Sequence, residues 1–112
     1  MSEYKVFLSP FAEYKLEKLL DYILEEFGQS SRTKFLKEFA KHIRKIEKNP
    51  QIAPKSRLLK GIHKNVVTKQ TSFYYLISEK EIHVITLTDN RQSPKKVLKE
   101  LRALADKLQK GL

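Results

Sequence analysis

The 112-residue chain contains no cysteine and only three glycines, Gly28, Gly61 and Gly111. Without cysteine it can form no disulfide bond, thiolate metal site or cysteine nucleophile, which fits a reducing compartment such as the cytoplasm. The glycines are too few and too widely spaced for a loop that wraps a phosphate group with backbone N–H donors. Thiol chemistry and phosphate-binding glycine loops are therefore excluded.

Long apolar runs are also absent. No stretch approaches the roughly 20 apolar residues that a membrane-spanning helix needs, and Met1–Leu8 lacks the basic start and apolar core of a signal peptide. Hydrophobic residues make up 40% of the chain and charged residues 32%, which is typical of a globular domain. We therefore expect one domain over residues 1–112, located in the cytoplasm and with no membrane partner.

The histidines and carboxylates show no recognisable catalytic or metal-binding spacing. His42, His63 and His83 have no second ligand at helical or strand spacing, so we expect no metal and no cofactor. His63 and His83 lie on different predicted strands and could face one another as an acid–base pair, although isolated histidines are usually structural. No serine lies in a strained, glycine-flanked turn. Asp89 is better placed to orient a loop than to act as an acid.

The net charge of +10 is concentrated in the middle of the chain. Residues 1–28 carry three lysines and six carboxylates, whereas residues 29–70 carry twelve Lys or Arg against two glutamates. Residues 71–112 carry eight basic and five acidic side chains. This asymmetry indicates an anionic partner, either nucleic acid or an acidic protein. A lysine-rich, solvated helix face would give the same pattern.

The first half of the chain predicts a strand and two helices. Tyr4–Ser9 is a β-branched and aromatic run typical of a strand, and Ser9 precedes Pro10 as an N-cap. Gly28 is the predicted end of this helix. The apolar stripe of the first helix consists of Leu16, Leu19, Leu20, Ile23 and Phe27.

The second helix follows after a short polar connector, so the two helices should form an antiparallel hairpin. Ser30 or Ser31 is its predicted N-cap, and it should end before Asn49-Pro50, because the residue before a proline resists helical geometry. Its apolar stripe consists of Phe35, Leu36, Phe39, Ala40, Ile43 and Ile46.

Three more strands and a helix are predicted in the second half. The strands are Ile62–Lys69, Ser72–Ser78 and Glu81–Thr88, and the last two are apolar on both faces, as central strands are. Ser93-Pro94 predicts a last helix over residues 95–112, which could pack on the sheet edge or bind a partner. Its stripe consists of Val97, Leu98, Leu101, Leu104, Ala105 and Leu108. The order β-α-α-β-β-β-α predicts an α+β fold, with a twisted, mostly antiparallel sheet and the hairpin packed on one face.

Basic side chains form the only candidate site. Arg91, in the loop after the last strand, is the leading candidate, because a guanidinium suits bidentate contact with phosphate or carboxylate. An ion pair with Asp89 that braces the loop is the alternative. Tyr74 and Tyr75 alternate across their strand, so one could stack on a base, or both could simply fill the core and its rim. The cations that could converge with Arg91 are Lys55, Arg57, Lys60, His63, Lys64 and Lys69.

The order and spacing of these segments resemble the RelE/ParE toxins of bacterial toxin–antitoxin modules over nearly the whole chain. The resemblance implies a plasmid-stabilising toxin, neutralised by a co-expressed antitoxin that wraps it with a helix and an extended segment. The segments that carry it are Tyr4-Lys-Val-Phe-Leu-Ser-Pro, the helix 12–27 with Leu-Leu-Asp-Tyr-Ile, Asn49-Pro50, Gly61, Phe73-Tyr-Tyr-Leu-Ile and Ile85-Thr-Leu-Thr-Asp-Asn-Arg-Gln-Ser-Pro.

The resemblance also separates two activities. RelE-like members cleave messenger RNA on the ribosome with basic side chains and commonly a C-terminal tyrosine or histidine as the base. This chain has no tyrosine after Tyr75 and no histidine after His83, and Thr71-Ser72-Phe73 stands where an arginine is expected. Losing the base would reduce cleavage on the order of 10²–10⁴-fold. If the chain is a nuclease, its site residues would be His63, Lys64, Lys69 and Arg91.

ParE-like members instead act on DNA gyrase and need no catalytic residue. The long helical hairpin and the arginine-bearing loop look more like this branch, so the preferred function is inhibition of the gyrase strand-passage cycle. The target would then be bound by Arg57, Lys64, Lys69 and Arg91. The alternatives are a ribosome-dependent endoribonuclease, or a basic module that reaches operator DNA only through its antitoxin. Many relatives lack the helix 95–112, which could complete the core, mediate homodimerisation or occupy an antitoxin surface.

Overall fold

The computed structural model describes residues 3–111, with side chains described as far as residue 107. The order β-α-α-β-β-β-α and the α+β class are confirmed. No helix in the described part of the chain is long and apolar enough to cross a membrane. The elements are β1 (Lys5–Leu8), α1 (Pro10–Phe27), α2 (Gln29–Lys48), β2 (His63–Val66), β3 (Thr71–Ser78), β4 (Glu81–Asp89) and α3 (Pro94–Gly111).

The four strands form one sheet in the order β1-β4-β3-β2. β3 pairs antiparallel with both β2 and β4, whereas β1 lies parallel to β4. The parallel pair is possible because the α1–α2 hairpin carries the chain across the sheet between β1 and the later strands. The sheet is therefore mixed and mostly antiparallel, with β4 and β3 in its centre.

Strand β2 is shorter than predicted, and Lys69 lies in the β2–β3 turn rather than on the strand. The side chain of Thr68 causes the early end. Its hydroxyl accepts hydrogen bonds from the backbone N–H groups of Gln70 (3.3 Å) and Thr71 (3.1 Å). A threonine hydroxyl that binds the following N–H groups in this way replaces strand pairing with a turn.

The start of α1 is as predicted, because Ser9 Oγ accepts a hydrogen bond from Ala12 N at 3.0 Å and Pro10 is the first helical residue. Gly28, with φ = 93°, ends α1 as predicted. The predicted caps Ser30 and Ser31 are wrong, since α2 already begins at Gln29. One glycine with positive φ reverses the chain in a single residue, so no capping serine is needed between the helices.

Two hydrophobic cores cover the two faces of the sheet, and they separate the tyrosines of β3 as predicted. Tyr75 belongs to the core under the hairpin, and Tyr74 to the core under α3. Further buried members of the hairpin core are Leu20, Phe35, Phe39, Ile46, Phe73, Ile82, Val84 and Leu87. Those of the α3 core are Ile62, Leu76, Ile85, Val97, Leu101 and Ala105.

Helix α3 packs on the sheet face opposite the hairpin, so it completes the core rather than only flanking an edge. Ser93 Oγ accepts from Lys96 N at 3.3 Å, which confirms the predicted helix start. The predicted contribution of Leu108 to the apolar stripe lies outside the described side chains. A β-bulge at Ile85 helps the packing, because it turns Ile85 and Thr86 toward α3.

A short polar chain ties three elements together beside this bulge. The hydroxyl of Thr86, on β4, donates to Glu100 Oε1 of α3 at 2.7 Å. The same carboxylate oxygen accepts from Lys15 Nζ of α1 at 3.0 Å. Because Thr86 is fully buried, this hydrogen bond satisfies a polar group that would otherwise be costly.

Replacing Leu101 by alanine tests the docking of α3. Leu101 is fully buried in the α3 core, so we expect Leu101→Ala to lower the free energy of unfolding in urea by about 2–5 kcal/mol. The control Leu24→Ala removes a 41% exposed leucine of α1 and should cost less than about 1 kcal/mol. Equal effects of the two substitutions would contradict the packing of α3 on the sheet.

Candidate functional site: a cationic cavity beside the closing loop

The loop of residues 51–61 is held against the sheet by two buried aromatic side chains. Tyr75 donates its hydroxyl hydrogen bond to the Pro50 carbonyl oxygen at 2.6 Å, and burial raises the pKa of Tyr75 to about 12. His63 Nδ1 lies 2.9 Å from the Ala53 carbonyl oxygen and therefore carries the donated proton. The His63 and Tyr75 rings stack with 5.1 Å between centroids. Both side chains thus fix the loop.

His63 and His83 do not face one another, because β3 lies between their strands, so the structural alternative for isolated histidines applies to them. His63 is only 4% exposed and belongs to the loop support described above. His83 stacks on Phe7 with 5.5 Å between ring centroids, and its Nε2 lies 3.1 Å from Glu81 Oε1. Neither imidazole is available to the other for proton transfer. No group of three or more metal-ligating side chains occurs among the described residues.

A cavity opens on each side of Asp89, one of ≈ 490 Å³ and one of ≈ 470 Å³, and the smaller one contains the clustered cations. We call it the cationic cavity. Lys55 and Arg57 enter it from the braced loop, and Lys64 enters from β2. Its remaining lining comes from the same loop, β3, the end of β4, the loop after β4 and the start of α3: Pro54, Ser56, Leu58, Tyr74, Thr88, Asp89, Asn90, Gln92, Pro94 and Val97.

Tyr74 forms the aromatic wall of the cationic cavity. It pairs with Lys64 across β2 and β3, and Lys64 Nζ lies 6.0 Å from the centroid of its ring. Tyr74 is 3% exposed, and burial raises the pKa of its hydroxyl, with a hydrogen bond involving Thr88 as a smaller opposing effect. The phenol therefore stays protonated at neutral pH. It can support a bound anion but is a poor proton acceptor.

Arg91 lies on the other side of Asp89, in a second cavity of ≈ 490 Å³ between α1 and the sheet rim. Its Nη2 and Nε donate to Asp89 Oδ2 at 2.6 Å and to Oδ1 at 3.0 Å, and its backbone N–H donates to Oδ1 at 2.8 Å. The loop-bracing alternative for Arg91 is therefore observed. The guanidinium is still 79% exposed, so its remaining N–H donors face solvent.

The expected convergence of cations is thus partial. Lys55, Arg57 and Lys64 meet in one cavity, whereas Arg91 lines the neighbouring one and His63 is buried behind the loop. The lining of the cationic cavity includes neither Lys60 nor Lys69. The distribution of the seven side chains follows from the turn at Thr68 and the bracing of the loop.

Asn90 is an important residue that the sequence reasoning missed. Its Nδ2 donates to the carbonyl oxygens of Thr68 (3.3 Å) and Lys69 (3.1 Å), and its Oδ1 accepts from Ser72 Oγ at 2.6 Å. Asn90 therefore joins the closing loop to the β2–β3 turn. The run Thr-Asp-Asn-Arg was a usable signal, because short amide and carboxylate side chains commonly bind turn backbone.

Comparison with known proteins identifies relatives of this arrangement. The sequence model of the "ParE toxin of type II toxin-antitoxin system, parDE" matches residues 6–94, so the match ends where α3 begins. Comparison with curated protein sequences gives no match. The fold resembles the chromosomal ParDE toxin–antitoxin system of P. aeruginosa, with TM-score 0.68, 13% identity and coverage of 78% of this chain and 96% of that chain.

Two further solved structures share the fold at lower similarity. The toxin–antitoxin complex RelBE2 from Mycobacterium tuberculosis has TM-score 0.55 and 20% identity, with coverage of 82% of this chain and 97% of that chain. The YoeB dimer from Staphylococcus aureus has TM-score 0.53 and 14% identity, with coverage of 78% and 97%. At these identities the likeness concerns the fold.

The bidentate pair gives a pH-dependent prediction. The hydrogen bonds from Arg91 lower the pKa of Asp89 from 3.8 to about 2. The Asp89–Arg91 pair therefore stabilises the fold at pH values above the ordinary pKa of an aspartate. This contribution is lost as the pH falls from about 4 toward 2. In Arg91→Ala we expect carboxyl NMR titration to show the Asp89 pKa returning toward its ordinary value. Arg102→Ala, an exposed arginine of α3, should leave it low; an unchanged pKa in Arg91→Ala would contradict the pair.

Proposed function

Because the chain belongs to the ParE toxin family of type II toxin–antitoxin systems, we propose that it is a ParE-like toxin that binds DNA gyrase and inhibits its supercoiling cycle. The observation that carries this proposal is the composition of the cationic cavity. Three cations, Lys55, Arg57 and Lys64, line it together with a tyrosine, Tyr74, that keeps its proton. Such a surface binds anionic groups but is poorly equipped for proton transfer.

The other ionisable group of the cavity leads to the same conclusion. Asp89 is held by two side-chain hydrogen bonds from Arg91, and these keep its pKa near 2. A carboxylate with so low a pKa is a weak base at neutral pH. Inhibition by binding needs no base, whereas cleavage at a ribose 2′-hydroxyl does. The cavity therefore favours a target-binding role.

The proposed contact surface consists of Arg57 and Lys64 in the cationic cavity and Arg91 beside it. Carboxylates on the target would meet these cations, since opposite charges across an interface steer association and set specificity. Arg91 suits this role because it is exposed and its orientation is fixed by Asp89. Lys69 is included in the proposed contact surface and lies at its margin, on the β2–β3 turn, where its carbonyl oxygen accepts a hydrogen bond from Asn90.

We also propose neutralisation by a cognate antitoxin that adds a strand beside β1. The outer edge of β2 is already occupied, because Lys64 N donates to the Pro54 carbonyl oxygen at 3.0 Å and Lys55 forms a β-bridge with His63. Strand β1 is the opposite edge of the sheet and pairs with β4 on one side. An extended peptide can pair with such an edge through its backbone.

A ribosome-dependent endoribonuclease is the second candidate. One observation favours it: three cations line a single cavity with an aromatic ring, and one of them, Lys64, lies over that ring, an arrangement that could hold a phosphate and stabilise its developing charge. A purified translation system distinguishes the candidates. We expect no cut in messenger RNA at chain concentrations that inhibit gyrase. Cleavage that disappears in Lys64→Ala would replace the gyrase proposal with this one.

Supercoiling of relaxed plasmid by gyrase tests the preferred function. The wild-type chain should inhibit, and Arg57→Ala and Arg91→Ala should each raise the concentration needed for half-inhibition about tenfold or more. This magnitude corresponds to the loss of one charge-assisted contact, about 1.5–3 kcal/mol.

The matched control is Arg102→Ala, which removes one exposed arginine from α3, outside both cavities. It should inhibit like the wild type. Circular dichroism should show that all three variants are folded. Absence of inhibition by the wild type, at a large excess over gyrase, would contradict the proposal. Equal weakening by all three substitutions would show that net charge, and not this surface, causes inhibition.

A further inference from the structure

The outer face of α2 carries an uninterrupted row of positive charge that the proposed function does not use. We call it the α2 cationic stripe, and all of its members are exposed. At 3.6 residues per turn they fall within an arc of about 100° and extend over about 21 Å of helix. The stripe consists of Lys34, Lys37, Lys41, Arg44, Lys45 and Lys48.

No carboxylate interrupts the stripe. Glu38 lies at its margin and is engaged by His42, whose Nε2 is 3.3 Å from Glu38 Oε1. None of the ion pairs among the described residues includes a cation of the stripe. Six like charges on one helix face repel one another, so the arrangement is unfavourable until an anionic partner screens them.

The stripe also lacks the apolar residues that a protein partner would need. Five of its six members, all except Lys34, line a depression of ≈ 450 Å³ together with Ala40, the only apolar residue in that lining. Protein interfaces usually depend on buried aromatic or aliphatic anchors. Among residues 3–107, the large exposed apolar side chains lie elsewhere: Phe7, Phe11, Tyr14, Tyr22, Leu24, Phe27, Ile52 and Val66. The chemistry of this face therefore favours a polyanion.

We propose that the α2 cationic stripe binds the phosphate backbone of double-stranded DNA without reading its sequence. B-DNA carries one phosphate per about 1.7 Å of duplex axis when both strands are counted, so about 21 Å of duplex offers more phosphates than the stripe has cations. An α-helix also fits the B-DNA major groove, which is about 12 Å wide, whereas the deep, narrow major groove of duplex RNA does not admit it.

This site is separate from the cationic cavity. Tyr74 and the cavity lie on the α3 side of the sheet, and α2 packs on the opposite side. Both surfaces can therefore be occupied at once. The proposal is independent of gyrase binding, and it adds a direct contact with DNA where the sequence analysis expected contact only through an antitoxin.

Fluorescence anisotropy with a labelled 20-base-pair DNA duplex tests the proposal on the full chain. The wild type should bind with an affinity that falls by a factor on the order of 10²–10³ between 50 and 200 mM salt, as expected for about five phosphate contacts. The stripe variant carries Lys37→Gln, Lys41→Gln and Lys45→Gln. It should bind on the order of 10²-fold more weakly at low salt. The slope of log affinity against log salt concentration should become shallower by about three.

The matched control removes the same charge from exposed lysines of α3, through Lys96→Gln, Lys99→Gln and Lys107→Gln. It should bind DNA much like the wild type. Equal losses in the two variants would show binding by net charge alone and would overturn the proposal, as would wild-type affinity in the stripe variant. Circular dichroism with a urea titration identifies any loss of folding. If folding fails, the single substitution Lys41→Glu replaces the triple variant and should weaken binding.

Two further ligands, duplex RNA and poly-glutamate, test which class of partner the stripe binds. A duplex RNA of the same length should bind more weakly than the DNA duplex, and so should poly-glutamate of equal charge. Tighter binding of RNA would overturn the assignment to DNA. Tighter binding of poly-glutamate, lost in the stripe variant, would show that this face recognises an acidic protein. Because no gyrase is present, these outcomes are separate from the result of the supercoiling assay.

Discussion

The cationic cavity depends on one buried contact between the sheet and the loop that precedes it. The rings of Tyr75 and His63 stack on each other. Tyr75 donates a hydrogen bond to the Pro50 carbonyl oxygen, and His63 donates one to the Ala53 carbonyl oxygen. Lys55 and Arg57 repel one another and Lys64, so a free loop would move these charges apart. The two aromatic side chains supply a rigid frame that holds the cations together, and preorganisation of this kind strengthens binding.

The sheet separates the two cationic surfaces of the molecule. The hairpin packs on one face and turns a continuous cationic row of α2 outward, while α3 covers the other face next to the cationic cavity. Helix α3 lies beyond the residues matched by the family model, yet Val97 lines the cavity and Leu101 is fully buried. The added helix is therefore part of both the core and the site wall.

Local signals in the sequence predicted much of the fold. The features that were not predicted depend on pairing between strands that are far apart in the sequence. Ser9-Pro10, Gly28 and Ser93-Pro94 act within one helical turn, so their effects can be read from neighbouring residues. The parallel pairing of β1 with β4 and the separation of His63 from His83 depend on strand order, which local patterns do not contain. The site was partly predictable for the same reason: residue types indicated cations, but only the braced loop determined which three meet.

Calorimetric titration of purified gyrase with the purified chain tests the central claim most directly. The account predicts saturable binding that is weakened when Lys55 and Arg57 are both replaced by glutamine. It also predicts weaker binding when Tyr75→Phe releases the loop that carries them. Absence of binding by the wild-type chain, or binding unaffected by both changes, would contradict a target surface built on the braced cationic cavity.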